Sequence, residues 1–175
     1  GASAQPERGR LGHLADSLAT SIAAPEYHER ISVIFDGVDA ATASPSADAQ
    51  LDLGNGVTVD VASEAITFVN RNLEPYRGYH VFMRALPRLL SERPQAHVVI
   101  IGDDGVSYGP ALADGETYKQ RHLNEVRDSI DESRVHFLGR VPHERYLDVL
   151  RVSSAHVYLI YPFVLSWSMI EAMSV

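Results

Sequence analysis

From residue 65 onward, short apolar runs alternate with longer stretches in which apolar positions recur every three or four residues. Ala65–Val69, Ala96–Ile101, Val135–Leu138 and Ala155–Ile160 are apolar through most of their length and predict strands. Between them, Tyr79–Glu92, Glu116–Ile130 and His143–Val152 carry the spacing of amphipathic helices, and Ser166–Met173 opens another. Strands that are apolar throughout, separated by such helices, predict a parallel sheet covered on both faces. The expected fold is a doubly wound, Rossmann-like α/β domain, whose ligand lies outside the carboxyl ends of the strands, at helix N-termini. The chain before residue 64 is different. Residues 1–10 have no apolar period and read as a flexible lead-in, and Leu11, Leu14, Leu18 and Ile22 share one face of a short helix that Pro25 interrupts. Ile31–Phe35 predicts a strand closed by Asp36-Gly37, and the small, polar stretch Ala40–Asp52 predicts a surface loop. The expected division is a lead-in and linker over 1–27 and a domain over 28–175.

Composition narrows the function. The 175 residues suit one domain, and 45% apolar with 22% charged residues is the balance of a globular chain. Fifteen basic against 23 acidic residues give a net charge of −8, the opposite of a nucleic-acid-binding stripe. With no cysteine, disulfides, thiolate zinc sites and thiol nucleophiles are excluded. The eight histidines form no metal spacing, and His143-Glu144 lacks the later histidine of a zinc helix. Asp103-Asp104 is not an Asp-x-Asp pair, and Ser153, Ser154 and Ser166 lack the Gly-x-Ser-x-Gly elbow. The apolar runs fall far short of a spanning helix, and there is no basic segment leading into an apolar signal. The expectation is a cytoplasmic domain, with the parent protein free or at the inner face of the membrane.

Four strand-end segments carry candidate chemistry. Asn70–Gly78 places Arg71 and Arg77 six residues apart, with Pro75 stiffening the turn and Gly78 freeing the backbone at a helix start. Guanidinium forks suit oxygen-rich anions, and a helix N-terminus adds amides and the positive dipole end, so this is a candidate diphosphate clamp. The plainer alternative is two solvent-facing arginines in a loop. Phe137–Val141 ends the third strand, where Gly139 lets a planar group approach the backbone and Arg140 covers it; a simple turn is the alternative. Gly102–Gly109 is glycine-rich but is neither phosphate-loop motif, and its acidic pair opposes a phosphate, so it predicts a structured loop, with the wall of a ligand site as the further reading. In Tyr161–Met173, Pro162 ends the fourth strand and Ser166 or Ser168 can cap the next helix. Glu171 follows as an acceptor for sugar hydroxyls, or as an exposed glutamate on a capped helix.

In order and spacing these segments resemble the C-terminal, donor-binding domain of the retaining glycosyltransferases of family 4, which have the two-domain GT-B fold. The resemblance covers about residues 28–175. Ile31–Asp39 resembles the strand and turn by which those chains enter the domain. Arg71 and Arg77-Gly78 match the arginine and lysine-glycine that contact the donor diphosphate, with arginine in place of lysine. Gly139, Arg140 and Val141 resemble the turn whose backbone reads the nucleotide base. Ser166, Trp167 and Ser168 fall where backbone amides meet the phosphates. Glu171 matches the second glutamate of a Glu-x7-Glu motif, which binds the donor ribose. The first glutamate of that motif is missing: Phe163 stands there, beside the expected sugar pocket.

The resemblance implies a hexosyltransferase of polysaccharide biosynthesis type. Its donor is a nucleotide-diphosphate sugar, its acceptor a sugar, lipid-linked or glycan hydroxyl, and it needs no cofactor and no metal. Arg71 and Arg77 would stabilise the leaving diphosphate, and the acceptor would be bound mainly by a domain outside this sequence. Two other readings share these residues: a nucleotide-sugar epimerase of similar architecture, and a non-catalytic nucleotide-sugar-binding module. The chain also stops early in a helix that ordinarily feeds another strand. It is therefore expected to be inactive alone and to self-associate through an apolar patch near Trp167 and Ile170.

Overall fold

The computed structural model describes residues 21–32, 37–159 and 166–175. Two compact units divide between Gly37 and Val38. In the first, Pro25–Arg30 forms a 3-10 stretch with proline in its opening turn, and His28 Nε2 bonds the Ala23 carbonyl at 2.9 Å. Of the helix expected over Leu11–Ala23, only the end falls among the described residues, where Ser21 and Ile22 are helical. Positions 33–36 of the expected strand lie outside them, as does the 160–165 stretch that includes Phe163.

The second unit begins with an antiparallel hairpin, β1 (Gln50–Gly54) and β2 (Val57–Asp60). This corrects the expected loop over Ala40–Asp52, whose last three residues belong to β1. The connection is Asn55-Gly56, with φ of 52° and 78°, the primed-turn geometry that matches strand twist. Leu51 and Val59 pair across the hairpin and both are buried. The alternating part then follows as β3 (Ala65–Asn72), α1 (Tyr79–Glu92), β4 (His97–Asp103), α2 (Tyr118–Val126), β5 (Val135–Gly139), α3 (His143–Arg151), β6 (Ala155–Val157) and α4 (Trp167–Ser174).

β3 to β6 form one parallel sheet in the order β5-β4-β3-β6. Both faces are covered, as the apolar runs require. Phe68, Val98 and Ile100 point to one face, where Phe82, Met83, Leu86 and Leu90 of α1 and Val126 of α2 close a core. Val69, Val99 and Ile101 point to the other, against Val149 and Leu150 of α3 and Leu51 and Val59 of the hairpin. Phe68 and Phe82 stack with centroids 4.5 Å apart. Arg134 donates to the carbonyls of Leu90, Arg93 and Pro94, satisfying the open end of α1 with a cation.

β6 is shorter than its apolar run. It pairs with β3 only over Ala155–Val157, and Tyr158 and Leu159 leave the ladder. α2 also ends early, at Val126, and a 3-10 turn over Arg127–Ser129 completes the connection. Its start is a full capping box between Thr117 and Gln120. Among the described residues no helix is long and apolar enough to cross a membrane.

Candidate functional site

The strand order decides where a ligand can sit. The chain runs outward from β3 through β4 to β5 and then crosses back to β6 on the other side of β3, so the strand order reverses beside β3 and a crevice opens at the carboxyl ends of β3 and β6. A cleft of about 310 Å³ occurs there, lined by Pro75, Tyr76, Gly78, His80, Val81, Tyr158 and Leu159. Gly78 forms its floor. Its φ is +75°, and a Cβ there would collide with Leu159, whose carbonyl oxygen would lie 2.9 Å away. Only glycine allows the start of α1 to approach β6 this closely.

Arg71 is the seventh residue of β3 and Arg77 ends the 3-10 turn Pro75–Arg77, so both stand at the carboxyl end of the central strand. Arg71 is exposed and makes no hydrogen bond or ion pair with a described residue. Arg77 is half-buried. Its guanidinium lies 5.1 Å from the centroid of the Tyr108 ring, and Nη2 donates to the Tyr108 hydroxyl at 3.5 Å. Tyr76 lies 5.7 Å from the same ring, so two tyrosines flank this side.

Tyr108 belongs to the Gly102–Gly109 segment, whose loop is held by polar contacts. The acidic pair is partly offset by cations, with Arg140 Nε 3.5 Å from Asp103 and Lys119 Nζ 3.4 Å from Asp104. Asn72 donates to Ser107 Oγ at 2.5 Å. Glu74, only 1% exposed, accepts from the amides of Ser107 and Tyr108 at 3.1 and 3.2 Å.

The other side of the crevice is the start of α4. Ser166 occupies the N-cap position, but neither serine caps the helix as expected: Ser166 Oγ and Ser168 Oγ bond each other at 2.7 Å. The Ser166 amide donates to the Tyr158 hydroxyl at 3.1 Å. The amides of Trp167 and Ser168 have no partner among the described residues and stand at a helix N-terminus. Glu171, one turn on, is not the exposed glutamate of the plainer reading. Tyr146 donates to its Oε2 at 2.6 Å and His143 to its Oε1 at 3.1 Å, and its side chain is 15% exposed. Burial first, and then the hydrogen bond to Glu171, push the Tyr146 phenol far above its ordinary range.

Gly139 takes φ +64° where β5 ends, with open space on the side a Cβ would occupy. Arg140 is exposed and Val141 half-buried. This turn shares the carboxyl edge with the arginines but lies beyond β4 from β3. Among the described residues no three His, Asp or Glu side chains gather as ligands for a metal ion.

Residues 63–175, which contain the whole parallel sheet, match the model of the family described as glycosyl transferases group 1. The chain belongs to this family. The group 1 glycosyl transferase chain is 32% identical over 126 residues to D-inositol 3-phosphate glycosyltransferase of Corynebacterium efficiens, an alignment covering 71% of this chain and 28% of that protein. Its fold is similar to the C-terminal domain of a glycosyl transferase group 1 family protein (LpcC) of Francisella tularensis, with a TM-score of 0.60, 15% identity, and 79% of this chain and 66% of that one covered. It is also similar to sucrose-phosphate synthase of Thermosynechococcus elongatus, with a TM-score of 0.56, 18% identity, and 99% of this chain and 44% of that one covered. The architecture is that of the C-terminal domain of GT-B glycosyltransferases. Family membership gives no support to the epimerase reading.

Sequence reasoning missed Glu74, Tyr108, Tyr146 and His143, which hold the expected site residues in place. None carries a strong local signal; Glu74 stands between Leu73 and Pro75 but follows the polar run Asn70-Arg71-Asn72.

Proposed function

We propose that the parent protein transfers a sugar from a nucleotide-diphosphate donor to an acceptor hydroxyl with retention, and that this chain supplies the donor-binding half. One observation carries the reading: two arginines at the switch point of a parallel sheet, together with the N-terminal amides of Trp167 and Ser168 at the start of α4. Departure of the nucleotide diphosphate puts negative charge on the leaving phosphate. Arg71 and Arg77 meet that charge with bidentate donors, and the helix end adds its dipole, which is electrostatic stabilisation of the transition state. The Gly139–Val141 turn offers backbone to the base, and Glu171 accepts from ribose hydroxyls. The acceptor is bound by the remainder of the protein; a lipid-linked acceptor places that protein at the inner face of a membrane.

Calorimetry on the full-length protein with uridine, guanosine and adenosine diphosphates tests the reading. Arg71→Ala and Arg77→Ala should each weaken the preferred diphosphate by about 1.5–3 kcal/mol, the range for hydrogen bonds to charged groups. Wild-type affinity in both variants would leave the arginines as surface residues and end the proposal.

A further inference from the structure

We infer that the buried carboxylate of Glu74 is a positioning residue: by fixing the 105–109 loop it holds the Tyr108 ring against Arg77 and so sets the guanidinium for the diphosphate. The inference rests on the reading of Arg77 given above. Glu74 is an unusual residue to bury, because an ionised carboxylate loses its water unless hydrogen bonds replace it. Here the replacement comes from a separate loop. Oε2 takes both amides, Ser107 and Tyr108, while Oε1 is buried without a hydrogen-bond partner among the described residues. The Glu74 carbonyl also accepts the Arg77 amide at 3.2 Å. One residue thus ties the turn that presents Arg77 to the loop that presents Tyr108, with the Asn72–Ser107 bond as a second strut.

The contact this produces is a cation over an aromatic face, in which the ring quadrupole attracts the guanidinium. A free arginine side chain samples many rotamers, and a ligand that needs one of them must bear the ordering cost. An arginine already resting on a fixed ring loses less on binding. Glu74 touches no ligand in this account. It acts through Tyr108, and Tyr108 through Arg77.

The test is a binding cycle in the full-length protein, read with a nucleoside diphosphate and with the bare nucleoside. Glu74→Ala and Tyr108→Leu should each lower diphosphate affinity about 3- to 10-fold and leave nucleoside affinity unchanged. Tyr108 is half-exposed, so its variant probes the same route without disturbing a buried position. In the Arg77→Ala background, Glu74→Ala should cost nothing further, since the group it positions is gone. Glu74→Gln keeps an acceptor for the two amides and should restore most of the affinity. An undiminished Glu74→Ala effect in the Arg77→Ala background would overturn the inference. So would wild-type diphosphate affinity in both Glu74→Ala and Tyr108→Leu while Arg77→Ala is weakened; the diphosphate reading would then stand and only the positioning would fail. Wild-type affinity in Arg77→Ala would overturn the inference, and wild-type affinity in Arg71→Ala as well would overturn both.

Discussion

The Glu171 carboxylate has both oxygens engaged by neighbours on α3, and the two neighbours differ in kind. Tyr146 is largely buried and its short bond fixes the carboxylate plane; His143 is mostly exposed and can yield Oε1 to a ribose hydroxyl. Tyr146→Phe should therefore leave the acceptor present but loosely aimed. Nucleotide-diphosphate affinity should drop about fivefold, the factor for one ordinary hydrogen bond of ~1 kcal/mol, and the margin over the 2′,3′-dideoxy analogue should narrow. Calorimetry with the two ligands measures both, and an unchanged margin would remove Glu171 from the ribose site. This residue also shows what a sequence carries. Glu171 itself is legible, as an acid one turn into a helix after a strand. Its partners lie 25 and 28 residues earlier on another helix, and no local period links them. Glu74 is hidden for the same reason, because its bonds reach 33 and 34 residues ahead into a loop without a period.

At the level of elements, legibility follows burial. α1 spans the predicted residues Tyr79–Glu92, because left-handed Gly78 starts it and Arg93-Pro94 stops it. The hairpin escaped notice because its strands offer only Leu51, Leu53, Val57 and Val59 among polar neighbours, although Asn55-Gly56 is a strong turn signal. Strand pairing also creates chemistry that no strand holds alone. His97 of β4 and His136 of β5 share a hydrogen bond of 3.0 Å across the sheet, and burial, then the neighbouring His97, lowers the His136 pKa. Burial likewise lowers that of His156, whose Nδ1 bonds the buried Thr67 hydroxyl at 2.9 Å. Both are held neutral, whereas the unfolded chain takes up protons near the ordinary value of about 6.5. The stability these groups contribute is complete above that value and is lost as pH falls through it toward the lower folded values. The melting temperature should drop between pH 7.5 and 5.5, a window above the titration of ordinary carboxylates at about 4. His136→Gln should flatten that slope, and an identical slope in the variant would assign the drop elsewhere.

For the whole molecule, the chain spans 28% of the length of the Corynebacterium relative. What the domain contributes is set by its strand order. β3 meets β4 and β6 on its two sides, and the two pairings differ greatly in loop length. Thr67 and His156, bonded across the β3–β6 boundary, are 89 residues apart, and nearly the whole alternating region must be in place before they meet. Closing so long a loop costs entropy that only the finished contacts return. The crevice is made by that last closure, since Leu159 reaches Gly78 only once β6 has docked. A nucleotide can then recognise the finished protein but not the chain on its way there. Added diphosphate should slow unfolding in proportion to the stability it confers and leave the refolding rate unchanged. Stopped-flow measurements on both limbs would show this, and a ligand-accelerated refolding limb would mean that the crevice forms early. The donor would thus act as a latch on a completed structure, giving the protein a longer life in cells rich in the compound it uses.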